Sequence, residues 1–168
     1  MDIGEARGLI KDIPLPEGRP LQWADLGCGT GTFTYALFRL LPTGSVIYAF
    51  DKHIQLFHEP GIRFTQLDFE TQALPVPPLS GILMANSLHY IKDQEALITK
   101  LRQQLEPEGT LVLVEYDIRT ANRWVPFPVP LLKAKQLAAL CGFRNFHRMG
   151  TRPSIYHGGD MYAAAFTR

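Results

Sequence analysis

Chemistry is most concentrated in "ADLGCGTGTF", residues 24 to 33, where Asp25 is followed by glycines at 27, 29 and 31 with Cys28 and Thr30 between them. Glycines at alternate positions let a backbone approach a ligand closely, and a loop that opens a helix offers free N–H donors and a positive end. Polar residues also end three later apolar runs: Asp51 after "SVIYAF", Asp68 after "IRFTQL" and Asn86 near the end of "GILMANS". An acid closing a buried strand is costly unless it meets a partner, solvent or ligand. Singly, each position has a plain structural reading as a tight-turn glycine, a helix cap or a turn residue. Jointly they place one crevice at the carboxyl ends of successive strands.

Two nucleotide classes fit such a crevice. A dinucleotide site wants G-x-G-x-x-G with an acid about 20 residues on for the ribose, and Asp51 serves either class as that acid. The glycine spacing departs from it, because the third glycine is Gly31 and position 32 is threonine. Asp25 just before the loop suits a ligand with positive charge better than a pyrophosphate.

The elements that hold these residues are legible as apolar runs alternating with helical patterns. Strands are expected at 21–26, 45–50, 62–67, 81–87 and 111–116, with helices at 32–41 and 94–106 and a short one around "HIQLFH", 53–58. "PEGT", 107–110, reads as a turn, and "RWVPFPVP", 123–130, as irregular because proline lacks a donor and holds its predecessor extended. A helix at 131–143 closes at Gly142, and 143–149 and 161–168 form an antiparallel pair. Continuous apolar strands separated by helices imply a parallel sheet buried on both faces. The expected fold is thus an α/β three-layer αβα sandwich whose seven-stranded, mostly parallel sheet has an antiparallel last strand.

Length bounds the organisation. At 168 residues the chain reads as one domain: a short N-terminal segment at 1–20, a ligand-binding core at 21–117, and a C-terminal helix with its strand pair at 118–168. A net charge of +1 gives no general attraction to nucleic acid or anionic membrane. No apolar run approaches the roughly 18 residues that span a bilayer, and the first residues lack a signal peptide's order, so a cytoplasmic location is expected. Cys28 and Cys141 have no metal-ligand spacing, no metal is expected, and Cys28 reads as a packing residue.

"ADLGCGTGTF" resembles the first motif of the class I S-adenosylmethionine-dependent methyltransferases, with "YAFDKH", "TQLDFE" and "GILMANSLHYIKD" similar to the motifs that follow in order. "LEPEGTLVLVEYD" is similar to the family's approach to strand five, so the likeness covers 21–117. It implies a Rossmann-like fold, S-adenosylmethionine as cofactor, S-adenosylhomocysteine as product and transfer of a methyl group by in-line displacement. Carried onto this sequence, Gly27, Cys28, Gly29, Thr30 and Gly31 would lie against the methionine portion with Asp25 near its ammonium. Asp51 would hold the ribose, Lys52 and His53 would flank the adenine, Asp68 and Phe69 would meet its far side, and Asn86 would hold the amine.

His89, in a stretch similar to family members that methylate small molecules at carbon or oxygen, is the expected base, with Tyr90 the alternative. Its competing role is a histidine bonded to backbone at a helix start. The N/D-P-P-Y signature of amino-group methylation is replaced by "NSLH". Trp124, Phe127 and Tyr156 are expected to line an acceptor pocket, with His157 a weaker candidate, although aromatics beside prolines are commonly packing residues. A small-molecule acceptor is expected. A homodimer or partner protein covering the short N-terminal lid, a non-catalytic S-adenosylmethionine-binding module and, further off, a dinucleotide oxidoreductase are the alternatives.

Overall fold

The computed structural model describes residues 1–153 and 159–168. Seven strands form one sheet: β1 Gln22–Leu26, β2 Val46–Asp51, β3 Ile62–Gln66, β4 Leu79–Ala85, β5 Leu105–Tyr116, β6 Asn145–Pro153 and β7 Asp160–Thr167. Their order across the sheet is β3-β2-β1-β4-β5-β7-β6. The first five run parallel, and β7 inserts antiparallel between β5 and β6. The last strand is the antiparallel one, as expected.

Alternation along the strands explains the three layers. On β5, Leu111 and Leu113 face one way into a core with α3 (Gln94–Arg102) and α4 (Leu131–Leu140), while Val112 and Val114 face α1 (Ile3–Ile10) and α2 (Thr32–Phe38). Burying both faces is what makes these strands continuously apolar. The first helix opens with a capping box: the Asp2 carboxylate accepts from Glu5 N and the Glu5 carboxylate from Asp2 N. That motif and α1 were not read from the sequence, where residues 1–20 carried no assigned element.

Three further boundaries differ from the sequence reading. No helix forms at 53–58, because the chain there is pinned at both ends: His53 N donates to Asp51 Oδ1, and the Phe57 ring turns inward onto Tyr35 and Phe64. The helix expected through 106 ends at Arg102, and β5 starts at Leu105 by pairing with Leu79. The "PEGT" turn survives as a bulge within β5, with Glu108 at φ 64° and the register jumping from Leu79↔Leu105 to Gly81↔Thr110. Finally β4 stops at Ala85, two residues early, since Asn86 leaves the strand at φ 54°.

Close approach of β1 and β4 beneath the crevice depends on Gly81. Trp23 is paired with Gly81, and a Cβ on Gly81 would lie 2.4 Å from the fully buried indole. Gly81→Ala is therefore expected to destabilise the protein by about 1–3 kcal/mol through overpacking, measurable as a lower urea midpoint at unchanged m value.

Candidate active site

At the carboxyl edge of the sheet the loop after β1 is tied to the end of β2. Gly27 N and Cys28 N both donate to the Phe50 carbonyl, at 2.8 and 3.0 Å, and Gly29 N donates to Asp51 Oδ2 at 2.9 Å. The other Asp51 oxygen accepts from His53 N, so this carboxylate organises the glycine loop and the start of the next segment together. Gly27 and Gly31 adopt φ of +79° and +89°, and added Cβ atoms would meet Ser87 Cβ at 2.6 Å and Phe57 Cε1 at 2.5 Å. Only glycine fits at both.

Across the crevice, β4 is followed by Asn86, whose backbone N donates to the Val114 carbonyl. Its side-chain Oδ1 is buried and has no hydrogen-bond partner. Among the described residues two other buried side-chain polar atoms share that condition, Trp23 Nε1 and Arg102 Nε, and neither residue lines the crevice. A buried acceptor without a donor is costly, and a ligand amine would satisfy it. The following Ser87 donates its hydroxyl to the Leu26 carbonyl at 2.6 Å, which clamps the ends of β1 and β4.

Between these strand ends lies a cavity of about 360 Å³. Of the residues expected at the site, Gly27, Asp51, Lys52, His53, Asp68, Phe69, Asn86 and Tyr90 form its wall. Leu67, Glu70, Ser87 and Ile91 join them; they lie inside "TQLDFE" and "GILMANSLHYIKD", but the resemblance implies no role for them. Asp68 also shapes the turn after β3, accepting from Glu70 N, and Lys100 of α3 holds that turn by donating to the carbonyls of Phe69 and Gln72. Only the tertiary structure brings Lys100 there.

Other expected residues stand off the wall. Cys28, Gly29, Thr30 and Gly31 build the loop without lining the cavity. Burial, reinforced by the charges of Asp25 and Asp51, raises the Cys28 thiol far above its ordinary range, which fits a packing role. Asp25 is buried behind the loop, where its carboxylate accepts from the Thr34 hydroxyl at 2.6 Å. Burial pushes its pKa up to about 7, with the Thr34 hydrogen bond opposing and the Asp51 charge adding to the rise.

His89 is also buried, at 2% exposure, within a 3-10 turn over Leu88–Tyr90. Its Nδ1 lies 2.5 Å from Oε2 of the fully buried Glu115 on β5, whose other oxygen accepts from Leu88 N and His89 N. The Tyr90 ring packs on His89 at 4.4 Å between centroids, tilted by 50°, and is the group on the cavity wall. Of the aromatic candidates, Trp124 is 61% exposed and Phe127 ties its backbone N to the His89 carbonyl; neither lines the cavity. Tyr156 and His157 lie outside the described residues.

Residues 3 to 158 match the family described as a methyltransferase domain. The chain belongs to the class I S-adenosylmethionine-dependent methyltransferases. It is 33% identical over 119 residues to a trans-aconitate 2-methyltransferase of Variovorax paradoxus, covering 68% of this chain and 45% of the relative. Likeness to a carboxy-S-adenosyl-L-methionine synthase of Hydrogenovibrio crunogenus is 31% over 106 residues, covering 56% and 42%. The chain thus spans less than half the length of these relatives. Among solved structures, the YcgJ protein of Bacillus subtilis shares the fold at a TM-score of 0.73 and 11% identity, covering 98% of both chains. A Burkholderia thailandensis 1,6-didemethyltoxoflavin-N1-methyltransferase, with bound 1,6-didemethyltoxoflavin and S-adenosylhomocysteine, shares it at 0.68 and 16%, covering 99% of this chain and 77% of that one.

The family's cofactor suits the walls found here, since a sulfonium carrying an ammonium group matches an acidic cavity with an unpaired amide oxygen. The raised pKa of Asp25 has a consequence for the protein itself. With the folded value above the unfolded one, its contribution to stability is full below pH about 4 and is lost as pH rises through about 7. Asp25→Asn is expected to match the wild type near pH 4 and to exceed it by on the order of 2–4 kcal/mol near pH 8, read from denaturant melts across that range.

Proposed function

We propose that this domain binds S-adenosylmethionine in the cavity between β1, β2 and β4 and transfers its methyl group to a small-molecule acceptor. The observation that carries the reading is the buried, unpaired Asn86 Oδ1 on a wall that also bears Asp51, Asp68 and Glu70. Asn86 accepts from the amine, and Asp51, already anchored by two backbone N–H groups, presents its outer lone pairs to the ribose hydroxyls. Asp68 and Phe69 meet the adenine, with Lys52 and His53 closing the near side. Asp25, buried behind the loop, lends negative charge above pH about 7.

When bound, the cofactor supplies an electrophilic methyl on sulfur, and the acceptor's electron pair forms the new bond as the carbon–sulfur bond breaks onto sulfur. The protein's share is alignment and exclusion of water. An acceptor that must lose a proton needs a base. His89 serves as that base through Nε2, because Glu115 occupies Nδ1 and fixes the ring orientation. The burial of His89 behind Tyr90 favours a second reading, a domain that binds the cofactor without transferring methyl. The names of the relatives support a small-molecule acceptor.

Calorimetry with S-adenosylhomocysteine tests the cofactor site. Asp51→Ala and Asn86→Ala are each expected to weaken binding by about tenfold or more, at roughly 1.4 kcal/mol per decade. Tighter binding of NAD, or unchanged affinity in both variants, would overturn the assignment. Labelled methyl transfer into a metabolite extract separates enzyme from binding module. On an acceptor so identified, His89→Gln is expected to lower kcat by about 100-fold or more; full turnover excludes His89 as base.

A further inference from the structure

We propose that the acceptor is an anionic small molecule, bearing a carboxylate or phosphate group, held by the basic groove that follows β5. The inference rests on the methyl-transfer reading and adds the substrate class.

Charge divides sharply along the carboxyl edge of the sheet. The cofactor cavity carries Asp51, Asp68 and Glu70 against Lys52. One strand further along, residues 117–136 hold Arg119, Arg123, Lys133 and Lys135 against Asp117 alone, in a chain whose 17 cations and 16 acids otherwise nearly balance. Arg119, Lys133 and Lys135 line a groove of about 420 Å³ between the end of β5 and the start of α4. A mixed surface ordinarily intersperses the two signs.

The one acid lining this groove against its three cations is Asp117. Asp117 spends Oδ1 on the Leu131 N–H at 3.0 Å, and the first turn of α4 contains no acidic residue to offset the helix's positive end. Among the described residues the salt bridges are Arg19–Glu106, His89–Glu115 and Arg152–Glu5, so none involves the groove. Lys133 donates to the Pro128 carbonyl, which positions its ammonium and leaves its other two hydrogens for an incoming oxygen. The Arg119 guanidinium supplies a planar fork that matches a carboxylate or phosphate.

The groove is also joined to the reacting end of the site. Asn86 N donates to the Val114 carbonyl, Glu115 accepts from the amides of Leu88 and His89, and Phe127 N donates to the His89 carbonyl. These contacts hold Val114, Glu115 and Phe127 against the 86–90 turn, and the groove's Arg119 and Lys133 follow on the same two chain segments. The acidic cavity and the basic groove share no lining residue, so a cationic cofactor and an anionic acceptor do not compete for one site. Lys135 lies over the Phe146 ring at 4.6 Å, which leaves Arg119 and Lys133 to meet the anion.

The test titrates the protein, at about 150 mM salt to suppress general charge attraction, with tricarballylate in one arm and glycerol 3-phosphate in the other. Saturable binding of at least one is expected, and the tighter arm names the anion. Arg119→Ala combined with Lys133→Ala is expected to weaken it by about tenfold or more, Arg119→Lys by less, while Arg39→Ala on α2 changes nothing. No saturable binding in either arm, or equal loss with Arg39→Ala, overturns the proposal. S-adenosylhomocysteine affinity on the same samples keeps the readings apart: retained cofactor binding with no anion binding removes the groove alone, and absent cofactor binding removes the methyl-transfer reading while the titration still judges the groove.

Discussion

The end of β2 is the hinge on which the site is built. One carbonyl, Phe50, accepts from two successive amides of the glycine loop, and the next residue's carboxylate accepts from a third. A loop with three left-handed glycines has little conformational preference of its own, so its shape must be imposed from outside. Here β2 imposes it. The same Asp51 carboxylate then holds His53 N, which sends the following chain away from a helix and brings Phe57 onto Gly31. The residue expected to meet the ribose is thus also the one that shapes the floor around it, and the two tasks use different lone pairs of the same two oxygens.

The opposite wall depends on a buried polar arrangement centred on β5. Glu115 is inaccessible to water, yet both of its oxygens are satisfied by the 88–89 amides and the His89 ring. Removing one partner from such a cluster strands a buried charge, so it holds the turn after β4 in a single conformation. Nearby, Tyr162 on β7 donates to the Val129 carbonyl and fastens the proline-rich segment over the same region. Burial raises the Tyr162 hydroxyl pKa, with the charges of Glu115 and Asp117 adding, so it remains a donor. Asn86 alone, among the residues of this wall, is left with an unmet acceptor.

Division of labour along one edge follows from topology. Parallel strands bring all their carboxyl ends to the same side, so whatever side chains terminate them share one crevice. The ends of β2 and β3 supply Asp51, Asp68 and Glu70 and make it acidic, and Asn86 after β4 adds an amide, whereas β5 leads into the segment bearing Arg119 and Arg123. The reversal to antiparallel at β7 closes the sheet beyond that point and completes the core with Ala163, Ala164 and Ala165 buried on alternating faces.

What the sequence determined by itself was the cofactor half. Each of Asp51, Asp68 and Asn86 sits at the end of an apolar run, and run and end are contiguous, so local patterning was enough to align them. Glycines at 27, 29 and 31 were legible for the same reason. Tertiary structure decided what depends on residues distant in the chain: Ser87 against Gly27, Lys100 on the turn after β3, and Glu115 on a histidine 26 residues away. It also decided, together with the local bond from His53 N to Asp51, that residues 53–58 would not be helical, since the inward Phe57 ring and that bond outweigh a weak local propensity. Periodicity records which face of an element is buried; it carries no record of which distant polar atom arrives to be satisfied, or of which one, like Asn86 Oδ1, is left waiting.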